Sequence, residues 1–565
     1  MKVLISALCI ILISVTASRA QAPAGIISGT VKNIEGKSIS YVSITITELN
    51  KSTSADQAGN FIFKNIPAGV YIVKASSTGF QPQTQQVTVS SGQRVGIDFI
   101  LKDDIRQLNN VIVSAVKESN NEIQPTAGKA NIKAMDMPQS ITVIGMETFT
   151  QQQTQRMSDV LKNANGVYIM GTTGGTQEEI AGRGFAFGSN NTFKNGSRFN
   201  NGVMPEISSL ESVEILKGSN AILFGNVAAG GILNLVTKKP KFNTGGEVSF
   251  RTGSYNFYKP AIDVYGSVNN SEKAAYRVNA TYENAGSFRK NVSSERFYVN
   301  PSFLYQFNKN TQLLFEADYL NDERKPDYGV GAINYQIANV PRTQYIGALW
   351  SKYNVDQLSS TLTFKHQFAK VWQVAAMTSA QSYNLDQFST SRPTNIKPDG
   401  TWNRGLQRSQ ISEDYYLGQV DLTGKFLTGK IKHNILVGAD IDQYNNRNNA
   451  FSFVFDPANP ASTTYDVINI YNPDQLSQRK DIPTSRITAL NMNPVNRAGV
   501  YAQDLISLSE KIKLLAGVRY SYMETRNNVL TKATNVSVTG KPRFDDAVTP
   551  RFGLVYQPTT TTSLF

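Results

Sequence analysis

Few residues in this chain are equipped for bond-making chemistry. Histidine occurs twice, at His366 and His433, and cysteine once, at Cys9. Nucleophilic catalysis needs a nucleophile with a base beside it, and a zinc site needs three or four clustered ligands. Each histidine instead follows the apolar phase of an alternating stretch, with Phe364 and Phe368 or with Ile435 and Val437. Both are expected at the outward, interfacial ends of strands rather than around a metal. The acidic pairs Glu178-Glu179 and Asp545-Asp546 have no His or Cys partner and lie in loop-like sequence, so they read as solvated surface. The inventory points away from an enzyme, and no cofactor or metal site is expected.

Composition narrows where such a chain works. The 565 residues allow about three units. The first 22 read as a secretory signal: Lys2 is the basic start, Val3 to Val15 the apolar run, and Ser18-Arg19-Ala20 or Ala20-Gln21-Ala22 the small-residue cleavage site. Cys9 lies inside that signal, so the exported chain carries no thiol and no disulfide. No later run supplies about 20 consecutive apolar residues, and mean hydropathy is −0.29. A helical membrane anchor is therefore not expected, which leaves an exported soluble protein or a β-barrel. The formal charge is +13. Its Lys and Arg are scattered rather than clustered, which argues against nucleic acid and suits anionic ligands or anionic lipopolysaccharide.

The elements that must position these residues change character along the chain. From Gly25 to Asp103 short runs alternate at period two. Phe61, Phe63, Tyr71 and Val73 share one face, and Asp56-x-x-Gly59 and Ile66-Pro67-x-Gly69 mark turns. From Gly246 to Phe565 the runs lengthen. Tyr276, Val278, Ala280 and Tyr282 face one way, and Arg277, Asn279, Thr281 and Glu283 the other. Short connections (269–273, 308–310, 369–370, 427–430, 509–511, 557–561) alternate with long polar ones (321–357, 385–409, 445–494). Short turns on one side and long loops on the other are the layout of an outer-membrane barrel, with the short side periplasmic. About twelve strands are expected, and a thirteenth starts at Thr562 to Phe565. A plugged transporter barrel has about 22 strands. The barrel is thus expected to be incomplete, despite the terminal aromatic Phe565.

Between the two regions stands the most specific stretch, SLESVEILKGSNAILFGNVAAGGILNLVTKKP, at 209–240. A charged strand, a Lys-Gly turn, a Phe-Gly and a Gly-Gly-Ile-x-Asn run occur in order. The stretch resembles the end of the plug domain of TonB-dependent outer-membrane siderophore receptors. Met137 to Ile144 resembles the opening plug strand, and Ala181-Gly182-Arg183-Gly184-Phe185 the family's Arg-Gly-Phe. Phe193-Lys194-Asn195-Gly196 stands where many relatives carry Asp-Gly, a departure that limits transfer of ligand contacts. Residues 25–103 resemble the carboxypeptidase-regulatory-like β-sandwich that precedes such receptors in the Bacteroidetes.

The resemblance implies a mainly β chain: a signal at 1–22, a β-sandwich at 25–103, a TonB box and linker at 108–116, a small α+β plug at 124–242, and the N-terminal part of a transmembrane antiparallel barrel at 246–565. Val111, Ile112, Val113, Ser114 and Ala115 resemble the TonB box, an extended segment that can add to a partner's sheet edge through main-chain hydrogen bonds. The implied partners are the TonB C-terminal domain, a ferric siderophore as transported ligand, and outer-membrane lipid with lipopolysaccharide. Arg183, Lys217 and Glu214 match the plug–barrel contacts, where family arginines pair with barrel carboxylates. Lys217 lacks the bidentate fork of Arg, and internal pairing with Glu211 or Glu214 is the alternative. Plug apices at 171–177, 187–191 and 195–199 are the implied ligand positions. Phe187 is the candidate aromatic wall, Asn190 a polar contact, and Arg198 a cation for an anionic chelate. The expected activity is energy-coupled import of ferric siderophores. The alternatives are import of another bulky nutrient (oligosaccharide, peptide or cobalamin) and a passive barrel-type adhesin.

Overall fold

The computed structural model describes residues 24–77, 80–102, 124–130, 132–218, 220–455, 462–472 and 479–565. The expected signal at 1–22 and the TonB-box residues Val111 to Ala115 lie outside them. The described residues fall into two compact units, one on each side of position 110.

The first unit is a two-sheet sandwich. One sheet pairs Gly25–Asn33 with Asn60–Ile66, Arg94–Gly96 and Phe99–Leu101. The other orders Lys51–Ser54, Ser43–Ile46, Gly69–Ser76 and Gln83–Val89. Period-two alternation carries Phe61, Phe63, Tyr71 and Val73 into one core with Ile27, Val31 and Ile44. Arg94–Gly96 and Phe99–Leu101 are two short strands rather than one continuous run. Asp98 is the cause, because its Oδ1 accepts both the Thr30 backbone N–H and the Thr30 hydroxyl, each at 2.8 Å, where a ladder bond would otherwise run.

In the second unit the plug is built on a five-stranded sheet, in the order Ser197–Arg198, Thr192–Lys194, Gly231–Thr237, Leu210–Lys217 and Ile141–Gly145. All seven residues of Gly231–Thr237 are buried, as expected of a strand covered on both faces. Short helices Met146–Gln151, Met157–Leu161 and Ala221–Phe224 and the hairpin Val167–Thr173/Gln177–Gly182 complete it. The Gly-Gly pair has a steric reason. A Cβ on Gly230 would stand 2.4 Å from the Gly182 carbonyl oxygen, and one on Gly231 (φ +132°) 2.5 Å from that of Leu216.

Around the plug runs one antiparallel sheet: Gly245–Gly253, Phe257–Ser267, Ala274–Ala285, Ser294–Asn308, Thr311–Arg324, Lys352–Ala369, Trp372–Thr390, Leu406–Thr428, Ile431–Val454, Thr484–Ser507, Ile512–Thr525, Arg543–Thr559 and Thr562–Leu564. Among the described residues the first and last of these strands do not pair with each other. The polarity is inside out. Arg277, Asn279, Thr281 and Glu283 are buried against the plug, whereas Val248, Phe250, Phe315, Ile441, Val500 and Val518 are exposed. Only a strand with lipid outside and a polar lumen inside satisfies that pattern.

The long loops form a structure of their own. Thr401–Arg404 pairs with Asp466–Asn469. Trp402, Ile468, Ile470, Ile396 and Ile346 form a core drawn from three loops. Arg404 is fully buried and gripped by both carboxylate oxygens of Asp466, and it donates to the Ile346 carbonyl at 3.1 Å. Near the short turns the lipid-facing rings of Phe368, Trp372, Phe426 and His433 stack in a row. His433 Nδ1 lies 2.6 Å from Asp504, and His366 Nδ1 lies 2.9 Å from the Thr311 hydroxyl.

Candidate functional site: the plug–barrel interface

The interface between plug and wall is where charge concentrates. Plug residue Glu206 takes Lys259 Nζ of the second barrel strand on both carboxylate oxygens, at 2.8 and 3.0 Å. Lys259 also reaches Glu283 at 3.3 Å, and Glu283 pairs with plug residue Arg156. Behind them Arg296 pairs with Asp322 at 2.8 Å and donates to the plug carbonyl of Met204. Glu206, Lys259, Glu283, Arg296 and Asp322 are all buried. Burial works to raise the Glu206 carboxyl, but Lys259 and Arg296 outweigh it and hold the group at about 2. In Arg156 burial opposes the charge, and Glu283 more than restores it, so its affinity for the proton rises.

Further round the wall the pattern repeats. Lys194 bonds Asp318 at 2.7 Å, and its ammonium lies over the rings of Phe199 and Tyr298. Lys239 reaches Glu316 at 2.6 Å, and Lys238 reaches Asp263 at 2.8 Å. Asp136 pairs with Lys513, and Arg551 donates to Gln139 at 2.7 Å. A buried ion pair adds little net stability, but removing one partner costs about 3–5 kcal/mol. The interface therefore locks the plug in one register. Because it is polar, water can replace its contacts when the plug shifts, as it cannot for an apolar core.

The expected contact residues take other roles. Arg183 is exposed, at φ +53°, beside Gly218. Among the described residues no ion pair joins Arg183 or Lys217 to a carboxylate. Burial and the neighbouring Arg183 charge both push the Lys217 ammonium down. Among the described residues, Glu214 makes no hydrogen bond or ion pair with the barrel or with Lys217. Three residues apart on one strand, the two side chains leave opposite faces. Its carboxylate holds the start of the plug, accepting the Thr126 N–H at 2.8 Å, the Ala127 N–H and Asn234 Nδ2 each at 2.9 Å, and the Thr126 hydroxyl at 3.0 Å.

Of the apex residues, Phe187 is packed in the plug core, its ring filling the space that Gly182 and Gly230 leave. Asn190 is exposed, and both its carbonyl and its Oδ1 accept from Arg198 Nη1. Arg198 is buried, and its other amino group donates to the carbonyls of Phe224 and Asn226. Arg198 thus ties three plug segments together instead of presenting a free cation. Sequence reasoning missed Lys129, Asp136, Arg156, Lys194, Glu206, Lys238 and Lys239. One signal was available: Glu316, Asp318 and Asp322 share the lumenal phase of a single strand, an acidic row that calls for cations from the plug.

Comparison with known proteins places this architecture. Three family profiles match in sequence order: "CarboxypepD_reg-like domain" at 27–113, "TonB-dependent Receptor Plug Domain" at 133–232, and "TonB dependent receptor-like, beta-barrel" at 298–565. The metal-pseudopaline receptor CntO of Pseudomonas aeruginosa is 28% identical over 450 residues, covering 78% of this chain and 61% of that protein. The ferrichrome outer membrane transporter/phage receptor of Escherichia coli is 25% identical over 465 residues, covering 76% and 60%. The chain thus spans about three fifths of the length of these relatives. Among solved structures, the siderophore receptor PiuA of Acinetobacter baumannii superposes with a TM-score of 0.69 at 21% identity, covering 78% of this chain and 66% of that one. The open form of the ferric-catecholate import receptor Fiu of Escherichia coli gives 0.66 at 22%, covering 78% and 70%. With sandwich, plug and inside-out barrel following one another in a single chain, the protein belongs to the TonB-dependent receptors, a family of outer-membrane β-barrel proteins.

Proposed function

We propose that this chain is the plug-bearing part of an outer-membrane receptor that imports ferric siderophores or kindred metal chelates, energised through TonB. The observation that carries the reading is the polar lock between plug and barrel, centred on Glu206, Lys259, Glu283 and Arg156. A passive pore or adhesin has no use for a lumen filled by a plug with its own sheet. An importer needs one that is held firmly yet released by local work. The relatives support the cargo class, since their names specify pseudopaline–metal and ferrichrome. In this reading 25–103 is a spacer sandwich, 108–116 the TonB contact, 124–242 the plug and 246–565 barrel wall. Val111 to Ala115 receive the TonB C-terminal domain. Ligand rests on the plug apices near Asn190, and lipopolysaccharide surrounds the outer wall. The chemistry is transport, with iron arriving already chelated.

The test is growth of a strain deleted for the gene on a panel of ferric chelates as sole iron source, with and without a working TonB system. Loss of growth on one chelate class, reproduced by loss of TonB, is the expected result. Unchanged growth on every chelate overturns the cargo. Uptake that survives without TonB overturns the coupling.

A further inference from the structure

The first described residues of the plug, 124–130, belong to no sheet. Thr126–Gly128 is a single 3-10 turn. Two charged side chains hold it. On the plug side Glu214, 2% exposed, accepts the backbone and hydroxyl hydrogens of Thr126 and the N–H of Ala127. On the wall side Lys129 stands at φ +57° and sends its ammonium to Gln419 Oε1 at 2.9 Å and the Tyr501 hydroxyl at 3.0 Å, with the Tyr501 ring 4.7 Å away. Tyr501 and Gln419 both donate onward to Asp421. Among the described residues, Lys129 is thus a half-buried cation that meets the carboxylate of Asp421 through two relay side chains.

The next strand of the plug is held differently. Ile141–Gly145 is laddered along Leu210–Lys217 from Leu216 to Ser212. A force applied from the N-terminal side loads the Glu214 and Lys129 bonds before it reaches that ladder. Beneath the segment, Ala127, Ala130, Ile132 and Met137 seal an apolar seam against Leu436 and Leu505 of the wall. Beyond the segment, Asp136 with Lys513 and Gln139 with Arg551 hold the chain to other wall strands, and plug residue Val203 makes a second apolar contact with Tyr298 and Val355.

We propose that Glu214 and Lys129 form the release latch of the plug. Traction frees residues 124–130 while the five-stranded sheet stays intact, and the passage opens along the wall at Gln419, Leu436, Tyr501 and Leu505. Both are positioning residues, since neither touches cargo. The inference rests on the energy-coupled reading above, and its test separates the two.

Cys9 is the one cysteine of these 565 residues and lies in the expected signal, so labelling is read against the same receptor without an introduced thiol. In the receptor expressed from its own gene, Ala130→Cys reports the latch segment and Val213→Cys the centre of the plug sheet. Both positions are buried. Cells are treated with a membrane-impermeant maleimide during uptake of a ferric chelate, with and without energy. Expected is labelling of Ala130→Cys at least tenfold faster during energised uptake, with Val213→Cys protected throughout. Adding Glu214→Gln, or independently Lys129→Gln, should raise labelling of Ala130→Cys at least tenfold without energy and leave Val213→Cys protected. Ala130→Cys that stays protected during energised uptake overturns the latch, as does equal labelling of both sites or no response to either substitution. Uptake that needs no energy fails the transport reading instead.

Discussion

Glu206→Gln isolates the buried charge cluster around Lys259 and Glu283 in the plug–barrel lock. The substitution keeps shape and one acceptor but removes the charge that faces Lys259 and Arg296. The Glu206 carboxyl is held at about 2 against 4.5 without its surroundings. That depression corresponds to about 3 kcal/mol of stabilisation. The group's folded value is lowered, so this contribution is complete above pH 4.5 and disappears as pH falls through 2. Breaking a buried pair by removing one partner costs about 3–5 kcal/mol. The low end applies here because Lys259 keeps Glu283 at 3.3 Å. With about 3 kcal/mol lost at pH 7, the plug opens roughly 150-fold more often. The assay is thiol labelling of Val213→Cys in the purified receptor under conditions where opening limits the population labelled, with and without the Glu206→Gln substitution. In parallel, the urea midpoint of the plug is followed from about pH 7 to about pH 2, a range that spans the carboxyl's titration. The wild type should lose this increment between pH 4.5 and 2, and Glu206→Gln should lose less over the same window. Labelling within threefold of the wild type, or an identical fall of the urea midpoint with acid, refutes the argument that this cluster holds the plug.

Val113→Pro should leave chelate binding to cells intact and stop uptake, because proline removes the donor that an added strand needs; radiolabelled ferric-chelate binding and uptake measured together check it. Residues 24–103 expressed alone should fold, since their core is drawn from within Ile27 to Leu101; a dispersed amide NMR spectrum is expected. Arg404→Leu should cost the loop assembly about 3 kcal/mol by stranding Asp466. Chymotryptic cleavage after Trp402 or Tyr465 should rise at least tenfold, while the barrel keeps its heat-modifiable migration on a denaturing gel.

The barrel was legible because lipid favours apolar side chains on the outward face of the strands. The alternation of Tyr276 to Glu283 and the short turn at 308–310 therefore read directly as strand and hairpin. Where the strands leave that demand the reading stopped early. Asn445 to Asn449 is all polar except in its ladder, yet Ile431–Val454 stays paired through it, because main-chain hydrogen bonds do not depend on the side chains. The thirteen-strand path agrees with about twelve strands and a thirteenth starting at Thr562. Pairings across the plug–barrel interface were not legible. Which carboxylate meets Lys194 or Arg156 depends on the rotation of the plug inside the wall, and no local pattern encodes that angle. Arg198 misled for a related reason: a cation near an apex in sequence found four acceptors on its own plug.

The assembly of three outer loops around Trp402 and Arg404 has an immunological consequence. Ile346, Ile396 and Ile468 come from three separate loops, so the surface above them is a composite shape. An antibody raised against a peptide copy of one loop would meet a chain without the shape that its neighbours impose. A binder selected on the folded receptor would instead span all three, and by clamping them together would close the mouth to cargo without touching the lumen.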